Sequence, residues 1–116
     1  MEPFAFFYKI RDMLRLRRAV AMADEAHAQT GDRYYVMAAG DGKLAVVNRQ
    51  NFRILRRKHY IDERASIRDL VGGSFYFTPY RDGAGAIPPD VEATKKRIYL
   101  AWAKECRKVR RQRRKR

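Results

Sequence analysis

The chain has 116 residues, 46% of them hydrophobic, so it is long enough and apolar enough to fold as one domain around a core. It carries 27 basic and 13 acidic residues, for a net charge of +14, and a single cysteine, Cys106. This composition excludes an intramolecular disulfide, a metal site made of several cysteines and a membrane-spanning apolar run.

The charge is concentrated at the two ends of the chain. Residues 1–58 hold 12 basic and 6 acidic groups, residues 59–92 hold 3 and 6, and residues 93–116 hold 12 and 1. Such an excess is tolerated best when a polyanion neutralises it. The lone cysteine suits a reducing compartment, and the aromatic N-terminus lacks the order of a secretory signal, so we expect a cytoplasmic protein.

Residues 3–29 have the spacing of a long helix that ends at Gly31. Its apolar stripe comprises Phe6, Ile10, Met13, Leu14 and Val20, and its N-terminal aromatic cluster comprises Phe4, Phe6, Phe7 and Tyr8. Aromatic residues beside arginines are also typical of helices that enter a membrane surface. Because a sheet needs a covering layer, we expect this cluster to be core and a membrane surface not to be a partner.

Residues 34–39 and 43–47 flank Asp41-Gly42, a pair typical of a two-residue hairpin turn with positive φ. The expected pairing places Ala39 opposite Leu44, Met37 opposite Val46 and Val36 opposite Val47. Both faces of this ribbon are apolar, so we expect the two terminal helices to cover them.

A short basic helix is predicted over residues 49–58, with Asn48 as its N-cap. One face carries Phe52, Leu55 and His59, and another carries Arg49, Arg53, Arg56 and Arg57. The arginine face fits a nucleic-acid backbone, and it equally fits an ordinary solvent face paired to Asp62 and Glu63.

The following segment predicts a helical turn and a third strand. The stretch from Ser66 to Asp69 has the pattern of a capping box, and Gly72-Gly73 closes the turn. Residues 74–78 form the strand, which Pro79 ends, and residues 79–88 form a loop.

The last helix begins near Pro89 and has an expected apolar stripe of Val91, Ile98, Trp102, Cys106 and Val109. We expect a single compact α+β domain over residues 1–106, with 107–116 as a frayed basic extension whose removal leaves the fold intact. The element order resembles the double-stranded-RNA-binding domain, with Lys95, Lys96 and Arg97 near the start of the last helix. About 25 residues between strands two and three depart from that pattern, so the chain is not assigned to the family.

The basic residues favour phosphate contacts of low sequence specificity, with DNA or RNA, because arginine density gives affinity without base reading. The predicted contact residues are Arg49, Arg53, Arg56, Arg57, Lys95, Lys96, Arg107, Lys108, Arg110, Arg111, Arg113, Arg114, Lys115 and Arg116. No cofactor or metal is expected.

Catalytic signals are weak. Neither serine lies in a nucleophile motif, and His27 and His59 are each expected to be structural. Cys106 stands beside two cations that would lower its pKa, although its apolar stripe indicates a packing role. We therefore expect a non-catalytic nucleic-acid-binding accessory protein. The alternatives are an adaptor that docks on an acidic partner or nucleoprotein, and a metal-independent toxin-type RNase.

Overall fold

A computed structural model of the chain describes residues 4–58 and 69–114. It confirms the α+β fold, with long helices at both ends and a three-stranded antiparallel sheet between them. The elements in chain order are α1 (Ala5–Thr30), β1 (Tyr35–Ala38), β2 (Leu44–Val47), α2 (Arg49–Arg57), α3 (Leu70–Gly73), β3 (Tyr76–Phe77) and α4 (Pro89–Arg114). The predictions for His59, Asp62, Glu63 and Ser66 lie outside the described residues.

Local capping fixes the ends of α1 and α2 where the sequence predicts them. Gly31 follows α1 with φ of 79°, a left-handed conformation that glycine adopts without a steric penalty. Its N–H donates to the His27 carbonyl over 2.7 Å. The Asn48 side chain accepts a 2.8 Å hydrogen bond from the Asn51 N–H, which satisfies a free donor of the first turn of α2.

The hairpin turn has the predicted backbone but not the predicted length. Asp41 and Gly42 both have positive φ, 59° and 75°. The Ala39 N–H donates to the Lys43 carbonyl over 2.8 Å, so the loop comprises Gly40–Gly42.

The expected strand pairing is therefore wrong by one residue. Val36 lies opposite Val46 and Met37 lies opposite Ala45. Because side chains alternate between the two faces of a sheet, this register places Val36 and Val46 on the same face. The predicted pairing would have placed them on opposite faces.

Both faces of the sheet are covered, but the terminal helices share one face. Leu16 of α1 and Tyr99 of α4 pack there in one buried cluster, with Val36 of the sheet. Phe52 of α2 and Leu70 of α3 pack on the other face, against β-strand side chains. The expectation that the terminal helices cover both faces is thus wrong, because the small helices α2 and α3 supply the second layer. The strand order is β2-β1-β3.

The inward face of α1 differs from the predicted apolar stripe. Its buried residues are Asp12, Leu16, Ala19 and Ala23. The stripe residues Phe6, Ile10 and Leu14 are exposed, as are Phe4 and Phe7, so the expectation that this cluster is core is wrong. The buried cluster already contains four large aromatic residues, Tyr34, Phe75, Tyr76 and Tyr99. Small alanines let α1 approach them closely, and a close-packed interior leaves no space for further phenyl rings.

The inward face of α4 also differs from the predicted one. Lys95, Tyr99 and Ala103 are its buried residues, whereas Ile98 and Val109 are exposed. Trp102 is half-buried, and its ring centroid lies 5.2 Å from that of Phe75. Within the described residues, no helix combines the length and hydropathy needed to cross a bilayer.

Candidate nucleic-acid interface

The arginine face of α2 is present as predicted. Arg49, Arg53, Arg56 and Arg57 are all exposed, and Phe52 on the adjoining, inward side of the helix is completely buried. The Arg56 guanidinium carbon lies 6.0 Å from the centre of the Phe52 ring. Burial of Phe52 therefore fixes the rotation of α2 about its axis and turns the arginines outward.

The C-terminal basic stretch continues α4 as a helix through Arg114. Lys108, Arg111, Arg113 and Arg114 are exposed along it. Lys115 and Arg116 lie outside the described residues. A helix holds these cations at fixed angles about its axis, so only some of them point toward the same surface.

Arg107 has a structural role in this stretch. Its guanidinium group donates to the Asp12 carboxylate in a nearly buried ion pair that joins α4 to α1. The same guanidinium carbon lies 5.1 Å from the centre of the Tyr8 ring. A buried carboxylate needs such a partner, because desolvation penalises an unpaired charge.

Arg110 also binds the protein itself. Its Nη2 donates to the Asp41 carbonyl over 2.9 Å and so holds the hairpin loop against α4. Arg107 and Arg110 are therefore engaged in tertiary contacts, and their charges are less available to a ligand than that of the exposed Lys108.

A basic groove runs between the first part of α1 and the last part of α4, with a volume of about 530 Å³. Its cationic lining residues are Lys9, Lys104, Arg107, Lys108 and Arg111. The one acidic lining residue, Asp12, is buried and neutralised by Arg107. The surface that the groove presents to a ligand is consequently positive.

Lys9 and Lys104 are absent from the contact residues that the sequence predicts. The i, i+4, i+7 spacing of Lys104, Lys108 and Arg111 was a signal for one cationic face of α4. Lys9 carried no such signal, because its place in the groove depends on the antiparallel packing of helices that are distant in sequence.

Lys95, which the sequence predicts as a contact residue, is buried and is not a surface cation. Its Nζ donates to the carbonyls of Val71, Gly72 and Ser74 over 2.7, 3.3 and 2.6 Å. Burial lowers its pKa. The ammonium group thus satisfies the carbonyls at the end of α3 and ties that turn to α4.

Lys96 is exposed but lies apart from the basic groove. It lines a second, more apolar groove with Leu14, Arg17 and Glu92. Lys108 lies twelve positions further along α4, which corresponds to a rise of about 18 Å. Of the three cations that the resemblance to the double-stranded-RNA-binding domain implied at the start of α4, Lys95 is buried and Lys96 and Arg97 are exposed.

Cys106 and His27 are two of the groups considered for catalysis that lie within the described residues. Burial raises the pKa of Cys106, which opposes formation of a thiolate. The His27 Nδ1 lies 2.8 Å from the Asp32 carbonyl oxygen at the end of α1. Across residues 4–58 and 69–114, no group of three or more acidic, histidine or cysteine side chains lies close enough to hold a metal ion.

Two separate basic surfaces result, because α2 covers the sheet face opposite to that covered by α1 and α4. Comparison with known protein families, curated proteins and solved structures found no match to the chain.

Proposed function

We propose that this protein is a small, non-catalytic, cytoplasmic nucleic-acid-binding accessory protein that contacts phosphates in the basic groove. The observation that carries the proposal is the lining of that groove, where Lys9, Lys104 and Lys108 converge. The single acidic lining residue, Asp12, is paired with Arg107. Cations gathered along a groove displace counterions from a phosphate backbone, which supplies affinity without base reading. The unpaired thiol of Cys106 suits the reducing cytoplasm.

The arginine face of α2 is a second contact surface on the opposite side of the sheet. A rigid nucleic-acid segment reaches one of these surfaces at a time, so the groove and α2 contribute to affinity separately. Their contributions can therefore be measured with separate variants.

The test is a salt titration of binding to duplex DNA, single-stranded DNA and RNA. The groove variant Lys9→Gln/Lys104→Gln/Lys108→Gln should flatten the plot of log affinity against log salt by about 0.7 to 0.9 for each phosphate that the protein no longer neutralises. The matched α2 variant Arg49→Gln/Arg53→Gln/Arg57→Gln also removes three exposed charges, and we expect it to flatten the slope less. Equal slopes for the wild type and the groove variant would contradict the proposal.

The RNase alternative is separated by a second measurement on the same protein. We expect labelled RNA and DNA to stay intact with and without magnesium. Turnover that disappears in Tyr80→Phe would overturn the non-catalytic assignment, since Tyr80 is half exposed and its ring lies 4.1 Å from the Arg33 guanidinium carbon.

A further inference from the structure

The N-terminal end of α1 presents three exposed phenyl rings. Phe4, Phe6 and Phe7 are 59%, 69% and 65% exposed. The ring of Phe7 lies 6.5 Å from that of Phe4 and 6.3 Å from that of Phe6, centre to centre. Three clustered phenyl rings in water are unusual, because transfer of each ring from water to an apolar environment is favourable.

Aliphatic side chains continue this surface along the helix. Ile10 is 40% exposed and Leu14 is 56% exposed, at steps of four residues from Phe6. We call Phe6, Phe7, Ile10 and Leu14 the apolar stripe of α1. It lies on the side of the helix that turns away from the buried residues Asp12, Leu16, Ala19 and Ala23.

Cations surround the stripe. Arg11, Arg15, Arg17 and Arg18 are exposed on the same part of α1, and one acid of α4, Glu92, lines the groove beside Leu14 and Arg17. The only acid between residues 4 and 23 is Asp12, which is buried and bound to Arg107. Acidic residues return only at Asp24 and Glu25, so the apolar stripe and the cations occupy the same stretch of helix.

We infer that residues 4–18 of α1 dock the protein on an anionic lipid surface, a function separate from nucleic-acid binding. Phenyl and aliphatic side chains enter the boundary between head groups and acyl chains, while the guanidinium groups extend to the lipid phosphates and carboxylates. The expectation that membranes are not partners rested on core packing of these rings, which the structure contradicts.

The charge pattern argues against a second copy of this chain as the occupant. Pairing two stripes would bring four arginines of one copy against four of the other, and Glu92, the acid that lines the groove beside Leu14, balances one of them in each copy. A fluid bilayer also suits the ring arrangement better than a protein groove. Phe4 and Phe6 are two residues apart and point to different sides of the helix, which a preformed groove accommodates poorly.

The experiment measures co-sedimentation of the full chain with two kinds of vesicle, phosphatidylcholine alone and phosphatidylcholine mixed with phosphatidylserine. We expect strong binding only to the mixed vesicles. Removing two flanking charges in Arg15→Gln/Arg18→Gln should weaken binding roughly fivefold for each charge. Because charge alone draws any strongly basic protein to such vesicles, the phenylalanine variants are needed to distinguish insertion of the rings from simple charge attraction.

Phe6→Gln/Phe7→Gln should lower the vesicle affinity by about tenfold or more while thermal melting and nucleic-acid affinity stay unchanged. The matched control is Met22→Gln/Ile98→Gln, which removes two side chains of similar exposure outside the stripe. Wild-type binding by the phenylalanine variant, or equal binding to both vesicles, would overturn the inference. A variant that loses only nucleic-acid affinity would also overturn the inference, because the rings would then stack on bases. So would a wild-type dimer that dissociates in the variant.

Discussion

Two charged residues, Asp12 and Lys95, lie in the interior and connect elements that the chain order keeps apart. Asp12 binds Arg107 and joins the two terminal helices, and Lys95 binds three carbonyls near the end of α3. Lysine and aspartate are rarely buried without partners, so each marks a site where packing and hydrogen bonding depend on one another. A sequence shows their charge but not this role.

Lys95→Met should lower the free energy of unfolding by about 1–3 kcal/mol, because the carbonyls of Val71, Gly72 and Ser74 lose their donor. Lys96→Met, next in sequence and exposed, should change it by less than about 0.5 kcal/mol. Urea denaturation measures both, and equal stabilities would contradict the structural role of Lys95.

The pH dependence provides a second measurement on the same pair of proteins. Burial lowers the pKa of Lys95 in the folded state below its ordinary 10.5. The unfolded chain therefore holds this proton in a range where the folded protein has released it, and stability rises with pH there. The stability advantage of the wild type over Lys95→Met should consequently grow as the pH approaches 10.5.

At the scale of elements, the sequence predicted where helices begin and end better than which way they face. Asn48 predicts the start of α2 through its side-chain hydrogen bond, and Gly31 predicts the end of α1 through its left-handed backbone conformation. Both signals depend only on neighbouring residues. Which side of α1 is buried depends on the elements that the helix packs against. Its strongest periodicity belongs to the exposed apolar stripe, while alanines form much of its inward face. Periodicity finds an apolar side but does not say what covers it.

The hairpin loop supplies a prediction at this scale. Gly42→Ala should cost about 1–2 kcal/mol, because Gly42 has φ of 75° and an added Cβ would lie 3.0 Å from the Arg110 Nη2 and 3.3 Å from the Cys106 Cβ. Gly40→Ala is the control, since Gly40 has no positive φ and nothing lies within 4 Å of its added Cβ. Equal melting temperatures for the two variants would show that the loop is placed wrongly.

For the whole molecule, the sequence predicted a basic protein, but it did not predict which cations lie in the basic groove, which lie on α2 and which make internal contacts. The arginine face of α2 could be predicted from helical spacing within nine residues. The basic groove requires Lys9 and Lys104 to meet across the pair of terminal helices, and no local pattern relates them. Tertiary packing also removes Lys95 from the surface and turns Arg107 and Arg110 toward the protein.

Truncation tests this division of the basic stretch. Ending the chain after Cys106 removes Arg107 and leaves the Asp12 carboxylate buried without its cation, which should cost about 3–5 kcal/mol. Ending it after Gln112 keeps Arg107 and Arg110 and should preserve a cooperative melt at nearly the original temperature. This reverses the sequence-based expectation that residues 107–116 are dispensable for folding. Equal melting temperatures for the two truncations would contradict the role given to Arg107.

The pairing of Asp12 with Arg107 has a consequence for synthesis on the ribosome. The two residues are 95 positions apart, so α1 leaves the exit tunnel long before its partner helix has been translated. During that interval Leu16 and Ala19 face water on one side of α1 while the phenyl rings face it on the other. Contacts of such large sequence separation form slowly. The nascent chain therefore carries a helix that is apolar on two sides, and we expect it to be a client of ribosome-associated chaperones.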